Sequence, residues 1–431
     1  MKEPEKMRTT YQITEYGSFI TGKQIDGYVT LPKSTFEQLE NFILSNKSKE
    51  TDALELMGLS AKRGLGKVIT AKNYVGILTM NDGTSIEILP KIYSKTSYSE
   101  GQVKKLVVEM LKSLRNSPYK SLQTTNVNIE KMDIFEIFIR MFIDEVLFIV
   151  KRGLKSNYET IASNENFFKG KVLFAEQIKR NFAHKERSFV AYDEFNTNRP
   201  ENRLVKSTLL YLYKQTASVR NKTDIRSLLN AFSEVSPSVD YTRDFEKYVP
   251  DRNMKDYATA LMWCKVFLAG KSFTSFVGSE VAFALLFPME TLFESYIAVQ
   301  LQKVLGTAKF RVMAQDKTYH LFTLPSKKFL MKPDIVVKRN SDKAVFVCDT
   351  KWKLLADEKN NYGISQADMY QMYAYQKKYN ARHITLLYPL TDRVTHSDII
   401  YDSGDGVIVR VRFIDLFDVE NSLNTITQDF R

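Results

Sequence analysis

From residue 331 to residue 413 the chain is a succession of short apolar runs, several of them interrupted by a single charged residue. Ile335-Val-Val337 and Ala344-Val-Phe-Val-Cys348 are β-type runs, and the break between them, Arg339-Asn-Ser-Asp-Lys343, is turn chemistry. They predict an antiparallel hairpin with strands near 333–338 and 344–352. Residues 365–379 follow with helical spacing, His383-Ile-Thr-Leu-Leu-Tyr388 reads as another strand, and a last hairpin ends in Gly406-Val-Ile-Val-Arg-Val-Arg-Phe413 before Leu416. Upstream, Met289, Leu292, Phe293, Tyr296, Leu301 and Val304 have the spacing of an amphipathic helix over 289–305, and a strand is expected near 319–324. The expected architecture of this part is α/β, a mixed sheet flanked by helices.

The preceding residues pattern differently. Tyr11 to Thr30 reads as short strands, Ser34-Thr35 caps a helix carrying Phe36, Leu39, Phe42 and Ile43, and the lysine- and serine-rich residues 46–50 end it. Val75-Gly-Ile-Leu-Thr-Met80, the turn Asn81-Asp-Gly83 and Thr84-Ser-Ile-Glu-Ile-Leu89 predict a hairpin. Helices are expected over 101–114 and 129–151, the second with a stripe of Phe135, Phe138, Phe142 and Leu147 that reads as core. Asn164 to Phe174 mixes lysines with aromatics and reads as a loop leading into a strand, although such a segment can also track a nucleic-acid backbone. A polar turn at 194–203 opens a helix over 204–216, with Asn202-Arg203 capping it or fixing contacts between domains. Residues 221–270 continue as helices, and Gly270-Lys-Ser-Phe-Thr-Ser275 reads as a linker. Three domains are expected: a β-rich one at 1–125, a mainly helical one at 126–272 and the α/β one at 273–431, in keeping with a length too great for one core.

Composition narrows the function. A formal charge of +12 suits a polyanionic partner. Cys264 and Cys348 lie in apolar segments and read as reduced core residues, and four scattered histidines lack zinc-ligand spacing. Gly64-Leu-Gly66-Lys67 fails as a phosphate loop, because Ala61 stands where the pattern needs its first glycine and no Ser or Thr follows the lysine. No secretory leader and no run long enough to span a membrane is read, so a cytoplasmic location is the expectation.

The candidate chemistry lies in the first hairpin. Pairing Lys338 with Ala344 sets Asp334 opposite Cys348, one register step from Asp349, so the two carboxylates should be neighbours. Lys351 shares a strand face with Asp349. Buried carboxylates side by side repel, and a divalent cation with oxygen preference relieves both the repulsion and the desolvation. Mg²⁺ held by Asp334 and Asp349 would supply an activated water that Lys351 orients. The plainer reading is that both aspartates cap strand ends and Lys351 is their solvated partner. Downstream, Asp368, Gln371 and Tyr375 form a polar stripe on one helical face, with Ser365 and Asp368 spaced as a capping box. Upstream, Glu290 and Glu294 share a face, and the plain reading of both is a solvated glutamate.

Pro333-Asp334, Asp349-Thr-Lys351 and Gln371-x-x-x-Tyr375 resemble the PD-(D/E)xK nucleases and, within them, the RecB-like branch. Val75-Gly-Ile-Leu78, Ile86-Glu-Ile-Leu-Pro-Lys91, Arg152-Gly-Leu154, Phe168-Lys-Gly-Lys171, Asn202-Arg203 and Leu292-Phe-Glu294 extend the likeness to the McrC family, nuclease subunits of McrBC-type, modification-dependent restriction systems. The resemblance implies a PD-(D/E)xK domain at the C-terminus and a Mg²⁺-dependent endonuclease with catalytic Asp334, Asp349, Lys351, Gln371 and Tyr375, its metal held by Asp334 and Asp349 with the Thr350 carbonyl and a carboxylate of the preceding helix, Glu294 preferred over Glu290. It also implies an McrB-like AAA+ hexamer that binds GTP, reads modified DNA and receives the N-terminal domain in its pore. Double-stranded DNA is the implied substrate, and a second copy of the chain the implied means of cutting both strands. Two other expectations stand beside it: a non-catalytic regulator of an AAA+ ring, and a self-sufficient repair nuclease that needs no nucleotide.

Overall fold

The computed structural model describes residues 9–45, 56–80, 82–92, 98–114, 132–248, 254–268 and 281–430. The chain forms two compact units, one of Met1–Ile134 with Lys271–Arg431 and one of Phe135–Gly270. The first unit thus joins two regions that the sequence reading separates.

Within that unit a six-stranded mixed sheet runs in the order Phe310–Ala314, Ile335–Arg339, Val345–Thr350, His383–Pro389, Ile408–Ile414, Asp398–Asp402. The two central pairings, from Val345–Thr350 through His383–Pro389 to Ile408–Ile414, are parallel, because helix Gln366–Tyr379 carries the chain back between the first two of those strands. One face, bearing Val336, Val347, Ile384, Leu386 and Val411, is covered by Met372, Tyr375 and Tyr379 of that helix. Helices Met289–Leu305 and Val419–Ile426 pack on each other and on sheet strands. The expected strand near 319–324 instead forms a separate two-stranded ribbon, His320–Phe322 with Lys328–Leu330, and Phe310–Ala314 takes the sheet edge. Its Arg-Val-Met-Ala sequence is only half-buried, which blurs the apolar signal.

The N-terminal part holds a four-stranded sheet ordered Tyr28–Leu31, Ser18–Thr21, Gly66–Ala71, Met57–Lys62, against which helix Lys33–Ser45 buries Phe36, Leu39, Phe42 and Ile43. A second sheet contains the expected hairpin, Tyr74–Met80 with Ser85–Leu89, although Asn81 of its turn lies outside the described residues. One edge strand is Thr10–Thr14, and the other is Val281–Pro288, from the far side of the sequence. The close approach is tolerated because Gly76, at φ +137°, has no Cβ: one would stand 2.0 Å from the Leu285 carbonyl oxygen. The strand just after the boundary expected at 272/273 thus completes the N-terminal layer, within the one unit that holds both parts. Residues 46–50 and the linker read at 270–275 lie outside the described residues.

The second unit packs helices Pro200–Gln215, Val219–Ala231, Tyr241–Glu246 and Lys255–Leu268 with the long helix Ile134–Arg152. Phe138, Phe142, Trp263 and Phe267 form its aromatic core, as the stripe predicted. Asn202 is fully buried and donates to the Lys155 and Thr197 carbonyls while accepting from Tyr257 Oη, so it braces the helix start from within the unit. The mainly helical expectation needs one correction: Asn157–Glu165, Ser188–Asn196 and Lys171–Val172 form an antiparallel sheet. Tyr158 and Phe195 of these strands are exposed, so the in-out contrast that reveals a strand in sequence is weak here.

Candidate functional site

Strand register sets the site. Ile335 pairs with Cys348 and Lys338 with Val345, one residue displaced from the expected pairing, and continuing the ladder puts Asp334 directly across from Asp349. Asp334 Oδ2 accepts from the Thr350 amide at 2.8 Å and from the Thr350 hydroxyl at 2.7 Å. Asp349 is 1% exposed and is ion-paired with Lys351 Nζ, which also lies 3.8 Å from Asp368 Oδ1. Thus the two aspartates and Lys351 lie together, and Asp368 of the following helix, which the sequence reading assigns to a cap, stands beside the same ammonium.

The electrostatics reflect crowding. Burial, and then the negative charge of Asp334, push the Asp349 carboxyl up to about 7. Burial also raises Asp334, against the two Thr350 hydrogen bonds and Lys351. For Lys351 burial pulls down, but Asp349, Asp334 and Asp368 together outweigh it and hold the ammonium above its ordinary value. Negative charge therefore exceeds the cation available to neutralise it.

Helix Gln366–Tyr379 supplies the remaining stripe. Gln371 is exposed and donates from Nε2 to Tyr375 Oη at 2.7 Å; Tyr375 is buried, and burial followed by Asp349 pushes its phenol up to about 12. Ser365 occupies the N-cap position, but its side chain caps nothing, so the expected capping box does not form. Asp368 lies near the Lys351 ammonium instead, where a full charge attracts it more strongly than an amide dipole does.

Glu294 and Glu290 diverge. The Glu290 carboxylate accepts from Asn73 Nδ2 at 2.5 Å, toward the N-terminal sheet. The Glu294 carboxylate accepts from Gln315 Nε2 at 3.4 Å, and the Gln315 amide donates to the Asp334 carbonyl at 2.7 Å, so Glu294 reaches the pair through Gln315. It lines a cavity of about 440 Å³ with Gln315, Ser113 and Gln302. Among the described residues no three His, Cys, Asp or Glu side chains are grouped to hold a metal ion. The aspartates are brought together; Glu294 is not brought to them in ligating position.

Sequence reasoning missed the anchor just beyond Lys351. Trp352 Nε1 donates to both oxygens of the buried Glu15 carboxylate, at 2.9 and 3.1 Å, and the Lys91 amide donates to Glu15 at 2.9 Å. Burial pushes Glu15 up to about 7. The end of the hairpin is thereby tied to a loop of the N-terminal sheet 337 residues away in sequence, a link no local pattern announces.

Residues 69–389 match the family described as McrBC 5-methylcytosine restriction system component. The chain belongs to the McrBC family. In fold it is similar to a chain in the refined half-complex from the tetradecameric assembly of Thermococcus gammatolerans McrB AAA+ hexamers with bound McrC, at 17% identity and TM-score 0.68, covering 98% of this chain and 100% of that one. A chain in the cryo-EM structure of the Thermococcus gammatolerans McrBC complex aligns at 19% identity and TM-score 0.49, over 69% of this chain and 89% of that one. No curated protein matches the sequence. All the candidate residues from Glu294 to Tyr375 fall inside the McrBC match. No helix among the described residues is long and apolar enough to cross a membrane.

Proposed function

We propose that this McrBC-family chain is the DNA-cleaving subunit of a GTP-dependent, modification-dependent restriction complex, hydrolysing phosphodiester bonds at Asp334, Asp349 and Lys351. The observation that carries the reading is the meeting of two crowded carboxylates and an ammonium at the end of one hairpin. The donor set fits Mg²⁺: both ligands are hard carboxylate oxygens, and two such ligands with water and substrate phosphate in the other positions are what that ion commonly takes. Bound there by Asp334 and Asp349, with the Thr350 carbonyl a further candidate, the ion would supply Lewis acidity and a more acidic water. Glu294 remains the candidate third carboxylate, which would require it to leave Gln315.

The chain's own groups do the rest. Thr350 fixes Asp334 through two hydrogen bonds, so that carboxylate is oriented before anything binds. Lys351 offers an ammonium beside Asp349 that can orient the attacking water and offset charge on the phosphate as it becomes five-coordinate. Gln371, exposed and held by Tyr375, is the group that reaches the DNA strand. The McrBC family and the fold shared with a chain of the McrB–McrC assembly support a GTP-hydrolysing McrB-like AAA+ hexamer as partner, its hydrolysis stimulated by this chain. Two copies in bridged complexes would cut the two strands.

The test is to prepare the full chain with the AAA+ protein encoded beside it and to follow cleavage of methylated and unmodified DNA with GTP and Mg²⁺. Cleavage of methylated DNA alone, lost in Asp349→Ala while stimulation of GTP hydrolysis persists, is the expected result. Undiminished cutting by Asp349→Ala would leave only a ring regulator, and cutting without nucleotide or partner would favour a self-sufficient nuclease.

A further inference from the structure

Tyr388 is fully buried, yet among the described residues its hydroxyl has no hydrogen-bond partner. A buried hydroxyl left alone costs about 1–3 kcal/mol, and phenylalanine would fill the same outline without that cost. Its position is specific. Thr350 pairs with Leu387, and the Lys351 amide donates to the Leu387 carbonyl at 2.9 Å, so Tyr388 is the neighbour of Lys351 along the parallel ladder. Asp349 pairs with Leu386, and side chains two apart share a face, so Asp349, Lys351, Leu386 and Tyr388 all project toward helix Gln366–Tyr379. After burial, the charges that most raise the Tyr388 phenol are those of Asp368 and Asp349. Asp368 and Lys351 are both partly open, their side chains 20% and 25% exposed, so they border solvent at the edge of this apolar pocket.

We propose that Tyr388 is a positioning residue for the hydrolysis: its hydroxyl donates through one water to Asp368, which in turn fixes the Lys351 ammonium beside Asp349. The inference rests on the nuclease reading above. It explains why a phenol, rather than a phenyl ring, stands beside Lys351. It also gives Asp368 a purpose that capping does not, since the Ser365 side chain forms no cap with that helix. A lysine shared between two carboxylates has two resting positions, and a water bound by Tyr388 and Asp368 keeps Asp368 in the one that reaches Lys351.

The experiment compares the wild-type chain, Tyr388→Phe, Asp368→Asn and the double variant, each with its AAA+ partner, for GTP- and Mg²⁺-dependent cleavage. Thermal unfolding of each chain without metal is followed in parallel. Tyr388→Phe is expected to slow cleavage about tenfold, the scale of one lost hydrogen bond to a charged group, with DNA affinity in Ca²⁺ unchanged. It should also melt lower than wild type, and the double variant should cut and melt no worse than Asp368→Asn alone, because both changes break one link. Wild-type cutting by Tyr388→Phe, an unchanged or higher melting temperature, or losses that add in the double variant would each overturn the proposal. If the wild-type complex itself does not cut, the nuclease reading falls and takes the catalytic role of Tyr388 with it, whatever the melting data show.

Discussion

Glu87 and Asp349 are each 1% exposed, each sits in a strand, and each is paired with a lysine, yet their surroundings are opposite in kind. Glu87 accepts from Lys104 Nζ at 2.9 Å and from the Ile134 amide at 2.6 Å, so both oxygens have donors. Asp349 has Lys351, but also Asp334 opposite and Asp368 competing for the same ammonium, with a phenol alongside that has no hydrogen-bond partner among the described residues. After burial, the next influences on Glu87 are hydrogen bonds that favour its charge; the next influence on Asp349 is a like charge that opposes it. A closed pair of this sort holds a fold together. An overcharged one is costly to the empty protein and makes sense where a cation and a phosphate complete it.

Substitutions at the two pairs should therefore fail in different currencies. Asp349→Ala should cut cleavage about a thousandfold or more, roughly 4 kcal/mol of transition-state stabilisation, while changing the unfolding midpoint little, since it also removes a like-charge neighbour of Asp334. Lys104→Met should do the reverse: a lone Glu87 left buried costs about 3–5 kcal/mol in denaturant titrations, while molecules that remain folded cut normally. Equal destabilisation by both changes would erase the distinction.

Mg²⁺ added to the chain alone provides a second contrast. Wild type and Glu87→Gln should both gain about 2.7 kcal/mol of stability at a concentration one hundredfold above Kd, whereas Asp334→Asn should gain nothing. Calorimetric unfolding against Mg²⁺ concentration reads this directly.

A smaller effect is expected from pH. Asp349 and Glu15 are both pushed to about 7 by burial. The native protein then holds protons that the unfolded chain releases near pH 4, so stability is full below that point and falls as pH rises through about 7. Metal-free protein should accordingly melt lower at pH 8 than at pH 5. Glu15→Gln, which removes a carboxyl facing Trp352, Lys91 and the charge of Glu290, should flatten part of that slope. Smallest of all, Gln371→Ala should slow cleavage about fivefold, roughly 1 kcal/mol, without altering stability, because its side chain is exposed and, among the described residues, bonds within its own helix.

The hairpin was readable because its cues are local: two apolar runs, a turn cluster, and acids at fixed offsets. The one-residue register difference turned an expected diagonal contact between Asp334 and Asp349 into a direct one. What sequence could not convey depends on distant partners. Glu294 looked suited to the metal from its place among Leu292, Phe293 and Ser295, but Gln315, on the far side of the next strand, takes its carboxylate. Tyr388 read as one more apolar strand residue, since nothing in its neighbourhood says that its hydroxyl is left alone. The second unit's small sheet was missed for another reason: its aromatic side chains face outward, which inverts the usual signal.

The outer strand Val281–Pro288 is separated from its partner Tyr74–Met80 by about 200 residues, a gap that a ribosome adding roughly 5–20 amino acids per second takes about 10–40 s to cross. Throughout that interval the nascent N-terminal sheet offers the bare amides and carbonyls of Tyr74–Met80 to any extended peptide nearby. A fragment ending before residue 281 should be prone to self-association for the same reason.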